Sequence, residues 1–308
     1  MPSTRSPKLG ALLTVAAVTV FGLQDGVSKL LTERYSVFFV IAVRYWTFAA
    51  VLLLVHRRRL REVMRTRTPR RQLLRGALLA GQVCMIVQSF ASLGLTTTHA
   101  VFSSFTLLVA VGSWVFLGER VDRARWAAIA LGFAGVLVIL RPGVQVLEPS
   151  ALLPLGGAVT FAAYQLLTRT VSAHDDPSTS FFYIGIAGAL VMTCVGPFFW
   201  EQPDVAGWAW LAIVSGSSML GHGLFIQALR HAEASAIQPL IYLQLVVATT
   251  VGVVGFGEQL DAVTALGAAM VVGAGLYTLR AGRTASPSAK RLRELPASPK
   301  PAAGEQHD

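Results

Sequence analysis

The sequence predicts an all-α polytopic membrane protein in which ten transmembrane helices form two inverted five-helix repeats around a central cavity. The chain of 308 residues is 54% hydrophobic and only 14% charged, which is too apolar for a soluble protein of this length. Its apolar residues fall into ten runs, and two stretches of the chain repeat each other. These three observations carry the prediction.

Each of the ten runs approaches the length needed to cross a membrane. A helix rises 1.5 Å per residue, so about 20 apolar residues span the hydrocarbon layer. The longest polar interruption is the arginine-rich loop RRRLREVMRTRTPRR, between the second and third runs. In chain order, the predicted spans cover residues 10–31, 36–55, 73–94, 99–117, 124–140, 150–170, 180–199, 207–228, 235–256 and 262–279.

An internal duplication relates the two halves. GERVDRARWAAIALGFAGVLVILRPG from Gly118 aligns without a gap with GEQLDAVTALGAAMVVGAGLYTLRAG from Gly257, and both copies open on a Gly-Glu pair. Further matches place Arg169 on Lys29 and ALRHAEASAI from Ala228 on ASLGLTTTHA from Ala91. Five spans per copy is an odd number, so the second copy enters the membrane from the opposite side, as in many secondary transporters.

These boundaries divide the chain into four parts. We predict a cytoplasmic N-terminus (1–9), a first repeat (10–143), a second repeat (144–281) and a disordered cytoplasmic tail (282–308). All but four of the 26 basic residues then lie on the inner side, and positive charge accumulates on that side of membrane proteins. The sequence therefore predicts a cytoplasmic (inner) membrane protein with both termini in the cytoplasm.

The net charge of +10 follows from this topology and calls for no nucleic acid. The arginine loop suits anionic lipid headgroups. Cys84 and Cys194 are predicted to be unpaired thiols inside spans, and the sequence contains no metal-ligand spacing, cofactor motif or nucleotide-binding loop. Transport without ATP is favoured.

An intramembrane enzyme using Ser218 and His222 is the alternative from another class, although no third orienting group is evident.

The chain resembles the EamA-type branch of the drug/metabolite transporter superfamily. The residues that carry the resemblance are the paired Gly-Glu turns, GHGLFIQALRHAEASAIQPLIYLQLVVATTVGVVGFGEQLD from Gly221, and YQLLTR from Tyr164. The resemblance implies ten helices around a central cavity that moves small organic solutes, often outward. One departure is that span 9 contains Pro239, whereas span 4 lacks the proline often found near its middle.

Charged residues inside spans indicate where a substrate could bind, because a charge at the centre of a membrane helix costs about 2.5–3.5 kcal/mol on insertion scales. Asp25 in span 1 and Arg44 in span 2 lie at similar depths and could meet, while Lys29 competes for Asp25 as an i, i+4 partner. Asp25 would bind a coupling proton or a substrate ammonium, and Arg44 a substrate carboxylate. The alternative is a structural ion pair between the two spans.

Polar residues at helical spacing extend this predicted pathway. Gln165 is the residue that matches Asp25 in the second repeat, so the two halves offer different chemistry. Several polar side chains in other spans are costly to bury away from a cavity. We therefore assign nine residues to the substrate pathway: Asp25, Lys29, Arg44, Gln82, Tyr164, Gln165, His222, Gln238 and Tyr242.

Spans 5 and 10 have few internal polar groups and are rich in glycine, which favours close helix packing or a homodimer contact. Glu119 and Glu258 precede these spans and are predicted to cap their N-termini.

The function predicted from these residues is a secondary carrier that exports amino acids or related zwitterions by alternating access, with protons as the possible coupling ion. The alternatives are an importer of a vitamin such as riboflavin and an exporter of a metal-chelating metabolite.

Overall fold

The computed structural model describes residues 6–118, 123–140, 152–171, 174–232 and 238–284, with the backbone alone at 117, 125, 229–230, 238–239 and 278–284. All regular elements in these ranges are helices, which confirms the all-α prediction. Two 3-10 helices, Gly196–Phe199 and Gln238–Tyr242, adjoin longer ones. The α-helices are α1 (Pro7–Thr32), α2 (Val37–His56), α3 (Leu60–Val63), α4 (Pro69–Phe102), α5 (Phe105–Leu117), α6 (Arg123–Leu140), α7 (Leu152–Val171), α8 (Pro177–Val195), α9 (Val205–His231), α10 (Leu243–Phe256) and α11 (Ala262–Thr284).

Five helices of the described ranges are long and apolar enough to cross a membrane. They are α1, α2, α4, α8 with its 3-10 extension, and α9. Shorter apolar helices cover Phe105–Phe116, Trp126–Leu140, Leu240–Phe256 and Ala262–Tyr277. The structure thus supports a polytopic membrane protein, while the count of ten spans stays a prediction.

The chain reverses direction inside α4, at Gly94. Arg75, early in α4, donates to the carbonyl of Ser180, and Ser113, late in α5, accepts from Arg169. Arg169 and Ser180 lie on either side of the short turn from α7 to α8, so the chain must turn back between residues 75 and 113. Gly94 permits the turn with φ 73° and ψ 174°, a region that is essentially closed to residues with a Cβ. This reversal agrees with the predicted end of span 3.

Contacts between loops follow the predicted alternation of sides. On one side, the carboxylate of Asp175 accepts hydrogen bonds from Thr66, Thr68 and Gln72, and so ties the turn after α7 to the loop before α4. Burial raises the pKa of the Asp175 carboxyl, but these hydrogen bonds and one from the Arg67 amide together outweigh burial and hold the pKa below its ordinary value. On the other side, Tyr35 donates to Asp204 at 3.2 Å. Which side faces the cytoplasm stays a prediction.

The glycines of α6 and α11 pack against each other within the chain. A Cβ on Gly135 would lie 2.8 Å from the carbonyl oxygen of Gly267, and one on Gly267 would lie 2.7 Å from that of Gly135. The two backbones therefore approach closely only because both side chains are absent. The predicted homodimer through these spans stays a prediction and would need other faces of the two helices.

Candidate functional site

A central cavity lies between α1, α4, α5, α7, α9, α10 and the 3-10 helix that precedes α10. Its volume is about 930 Å³, including the part that is open to solvent. Most of its wall is apolar and aromatic. Mostly apolar cavities with a few polar groups are the usual binding sites for small organic molecules.

The aromatic side chains of the wall come from both repeats. Phe161 on α7 is central, with its ring centroid 4.8 Å from that of Phe105, 5.4 Å from that of Phe102 and 5.4 Å from that of Tyr164. These rings contact one another edge-on, tilted or stacked, which holds their faces in defined positions. The aromatic residues and histidines that line the cavity are Phe21, His99, Phe102, Phe105, Phe161, Tyr164, His222, Phe225 and Tyr242.

Uncharged polar groups interrupt this wall at a few positions. The Tyr242 hydroxyl lies 2.6 Å from Thr106 Oγ1. The side chains of Ser103, Gln165 and Gln244 also line the cavity. A wall of rings with a few hydroxyl and amide groups suits a flat molecule that has hydrogen-bonding edges.

Asp25 lies one helical turn from the cavity residue Phe21 on α1. Its Oδ2 accepts a hydrogen bond from Gln244 Nε2 at 3.1 Å and lies 3.0 Å from His99 Nε2. Both partners line the cavity, so the carboxylate is buried directly behind its wall. The predicted contacts of Asp25 with Arg44 and Lys29 are wrong, because in the described residues neither cation comes within 4 Å of this carboxylate.

Arg44 and Ser218 form a separate buried contact, in which Arg44 Nε donates to Ser218 Oγ at 2.9 Å. The His222 ring packs between Phe21 and Phe48 at centroid distances of 5.0 and 6.0 Å. No hydrogen bond joins Ser218 to His222 in the described part of the chain.

Lys29 and Glu258 form an ion pair near the C-terminal end of α1, with 2.6 Å between Nζ and Oε1. The same carboxylate accepts the backbone amides of Leu95 at 2.7 Å and Thr96 at 3.0 Å. The prediction that Glu258 caps its own helix α11 is wrong, since it caps the helix that starts after Gly94. Asp261 caps α11 instead, through the amide of Thr264 at 2.7 Å.

The remaining predicted pathway residues are distributed unevenly. Tyr164, Gln165, His222 and Tyr242 line the cavity. Gln82 is buried in α4 and lies outside the cavity lining. Two further predictions cannot be placed: the Gln238 side chain and the whole of Glu119 lie outside the described residues.

Three polar residues near the cavity were not predicted to belong to it. His99 and Gln244 are the partners of Asp25, and Arg75 was counted among the basic residues of the inner side. The side chain of Arg75 is only 1% exposed, and its guanidinium lies 5.8 Å from the centre of the Tyr164 ring. The sequence carried no strong signal for His99, because it begins predicted span 4 and a polar residue near the end of a span costs little.

Helices from both halves of the chain enclose this cavity, which is the arrangement of a membrane transporter for small molecules. The chain belongs to the EamA-like transporter family, whose model matches residues 8–141 and 149–280. The two matched segments agree with the duplication seen in the sequence. The chain is thus a transporter of small metabolites within the drug/metabolite transporter superfamily.

Similar proteins have several different cargoes. A riboflavin transporter of Rhizobium johnstonii is 29% identical over 280 residues, covering 88% of this chain and 91% of the relative. An S-adenosylmethionine uptake transporter of Rickettsia bellii is 26% identical, covering 83% of this chain and 88% of the relative. The pseudopaline exporter CntI of Pseudomonas aeruginosa is 23% identical, covering 86% and 94%.

A solved crystal structure supports the fold. It superposes with a TM-score of 0.62 at 19% sequence identity and covers 91% of this chain and 100% of the other. At this identity the likeness concerns the fold alone.

Proposed function

We propose that this chain is a secondary carrier of the cytoplasmic membrane that takes up a flat aromatic metabolite, with riboflavin as the first candidate. The observation that carries the proposal is the aromatic wall of the cavity around Phe161. Stacking of a heterocyclic base on an aromatic side chain contributes about 1–3 kcal/mol, and a fused ring system such as that of riboflavin presents two such faces.

The polar positions of the cavity suit the edges of such a molecule. Gln165 and Gln244 offer amide donors and acceptors, and Tyr242 offers a hydroxyl. The resemblance to riboflavin transporters supports the same substrate class. The resemblance to S-adenosylmethionine uptake transporters also fits, because that molecule contains a purine ring.

The proposed coupling ion is a proton bound by Asp25 and His99. The pair adjoins the cavity, so a substrate bound there changes its electrostatic surroundings directly. Arg44 on α2 interacts electrostatically with Asp25, His222 and Tyr242 line the same cavity as His99, and Lys29 lies one turn further along α1. The Asp25 carboxylate lies 3.0 Å from His99 Nε2, and carboxylate and imidazole groups are the side chains that most often take part in proton transfer.

Export of amino acids or related zwitterions is the second candidate. It is favoured by the presence of both charge signs, Asp25 and Arg44, close to the cavity. Each of these groups already has a protein partner, in Gln244 and Ser218 respectively, so a zwitterion would have to displace those partners. The aromatic wall of the cavity would provide a zwitterion with few polar contacts to replace them. An exporter of a metal-chelating metabolite, as the likeness to CntI suggests, meets the same difficulty.

Riboflavin counterflow in proteoliposomes tests the proposal. Vesicles loaded with unlabelled riboflavin should accumulate labelled riboflavin from outside, and protein-free vesicles should not. Absence of counterflow, together with a rise of intracellular amino acids when the gene is deleted in its host, would replace this proposal by the amino-acid exporter. Expression in a riboflavin-auxotrophic bacterium then gives the direction, because only an importer lowers the vitamin concentration needed for growth.

A further inference from the structure

We propose that Glu258 is a latch that closes the outer side of the cavity, by holding Lys29 and the first amides of the helix after Gly94. This inference rests on the proposed transport function, since only a carrier needs a closure that opens. The latch is defined as Lys29, Glu258 and the amides of Leu95 and Thr96.

Three contacts converge on the Glu258 carboxylate. Oε1 lies 2.6 Å from Lys29 Nζ and accepts the Leu95 amide at 2.7 Å, and Oε2 accepts the Thr96 amide at 3.0 Å. Lys29 also lies over the Phe256 ring, 4.5 Å from its centre. One side chain thus joins α1, the start of the helix after Gly94, and the turn after α10. Charge-assisted hydrogen bonds of this kind are among the stronger polar contacts in proteins.

The same three elements meet again at a second level, closer to the cavity. Asp25 precedes Lys29 by one turn of α1, His99 follows Thr96 on the next turn of its helix, and Gln244 lies on α10. Going outward from the cavity, the order is His99 and Gln244, then Asp25, then the latch. A molecule that enters the cavity along this line would have to separate these elements, and the latch would be the first contact that it meets.

Glycines leave space for the Glu258 carboxylate and set its orientation. A Cβ on Gly94 would lie 2.6 Å from Glu258 Oε1, and one on Gly252 would lie 2.5 Å from Oε2. Gly257 ends α10 with φ 65°, and the amide of Glu258 then donates back to the carbonyl of Gly252 at 3.0 Å. Such a glycine cap turns the chain sharply after the helix. The Gly-Glu pair noted in the sequence therefore orients the latch residue.

The chemistry of the latch allows it to open. Its side chains are partly accessible, with Lys29 13% and Glu258 14% exposed, so water can replace each contact when the elements separate. If apolar side chains made these contacts, water could not replace them when the elements separate. Because Gly94 and Gly252 contact the carboxylate, few side chains interlock there, and few have to separate when the latch opens.

Cysteine accessibility tests the latch without any substrate. With Cys84 and Cys194 replaced by serine, Ser103→Cys in the cavity wall serves as the reporter, and a membrane-impermeant thiosulfonate is applied to sealed vesicles from each side separately. Gln259→Cys, at an exposed position of the same turn, marks the outer side. Glu258→Gln and Lys29→Gln should each speed labelling of the reporter from that side at least tenfold.

Glu201→Gln is the matched control, because Glu201 also accepts a backbone amide on this side of the protein, that of Ser36 at 2.6 Å, but lies outside the latch. Its labelling should match the parent. Size-exclusion profiles show which variants fold, and Lys29→Gln keeps the carboxylate on its amides if Glu258→Gln does not fold. Labelling of folded latch variants within twofold of the control overturns the latch. Riboflavin counterflow with unchanged labelling would reject only the latch, whereas fast labelling without counterflow would reject only the substrate.

Discussion

The carboxylate of Glu258 accepts the backbone amide of Leu95 at 2.7 Å, although the two residues are 163 positions apart and belong to different repeats. Burial alone would raise the pKa of this carboxyl. Hydrogen bonds from Lys29 and from the amides of Thr96 and Leu95 outweigh that effect, so the pKa lies below its ordinary value of 4.5. The contact connects the reversal of the chain at Gly94 with the closure of the cavity, and both can be tested.

Gly94→Ala should destabilise the protein by about 1–3 kcal/mol, because alanine cannot easily adopt this backbone conformation. The new Cβ would also displace Glu258. Gly81→Ala, in the same helix with nothing within 4 Å of its Cβ, is the control and should leave stability unchanged or raise it. Melting temperatures in detergent measure both. Equal effects of the two substitutions would show that Gly94 is no special position.

Acid should weaken the latch. Because the folded pKa of Glu258 is lowered, its contribution to stability is complete above pH 4.5 and disappears as the pH falls through the folded value. The difference in melting temperature between the parent and Glu258→Gln should therefore be constant from pH 8 to about pH 5 and shrink below that. Glu33→Gln, at an exposed position near the end of α1, should have little effect at any pH. A difference that grows on acidification contradicts the prediction.

Phe161→Ala should weaken riboflavin binding roughly tenfold, within the range expected for the loss of one stacking ring. Quenching of flavin fluorescence by the purified protein measures the dissociation constant. Phe198→Ala removes a ring of the same size that is 85% exposed and should leave the constant unchanged. Equal affinities of the parent and Phe161→Ala would show that riboflavin does not bind against Phe161 in this cavity.

Asp25→Asn and His99→Gln should separate transport from proton coupling. Each variant should keep riboflavin counterflow within a few-fold of the parent but lose accumulation driven by a pH gradient, because the pair no longer carries a proton between the two sides. His174→Gln is the control, since the His174 ring pairs with the carbonyl of Thr170 and does not line the cavity. Uphill accumulation that survives in both variants would move the coupling site away from this pair.

Much of the fold and part of the site could be predicted from the sequence. Apolar run lengths predicted where the helices lie, including the reversal at Gly94. Four residues assigned to the substrate pathway from the sequence, Tyr164, Gln165, His222 and Tyr242, line the cavity, and their part in transport stays a prediction. Polar residues within apolar runs indicate such positions because a polar group inside hydrocarbon is costly wherever it has no polar surroundings.

The partners of the charged groups could not be predicted. The sequence predicted that Asp25 meets Arg44, at a similar depth, or Lys29, one turn away. Instead, Asp25 contacts His99 and Gln244. Arg44 contacts Ser218, and Lys29 contacts Glu258. Hydrophobicity along the chain determined which segments form helices and in what order. Only the tertiary structure decided how each helix is rotated about its axis, because that rotation is set by packing against neighbouring helices.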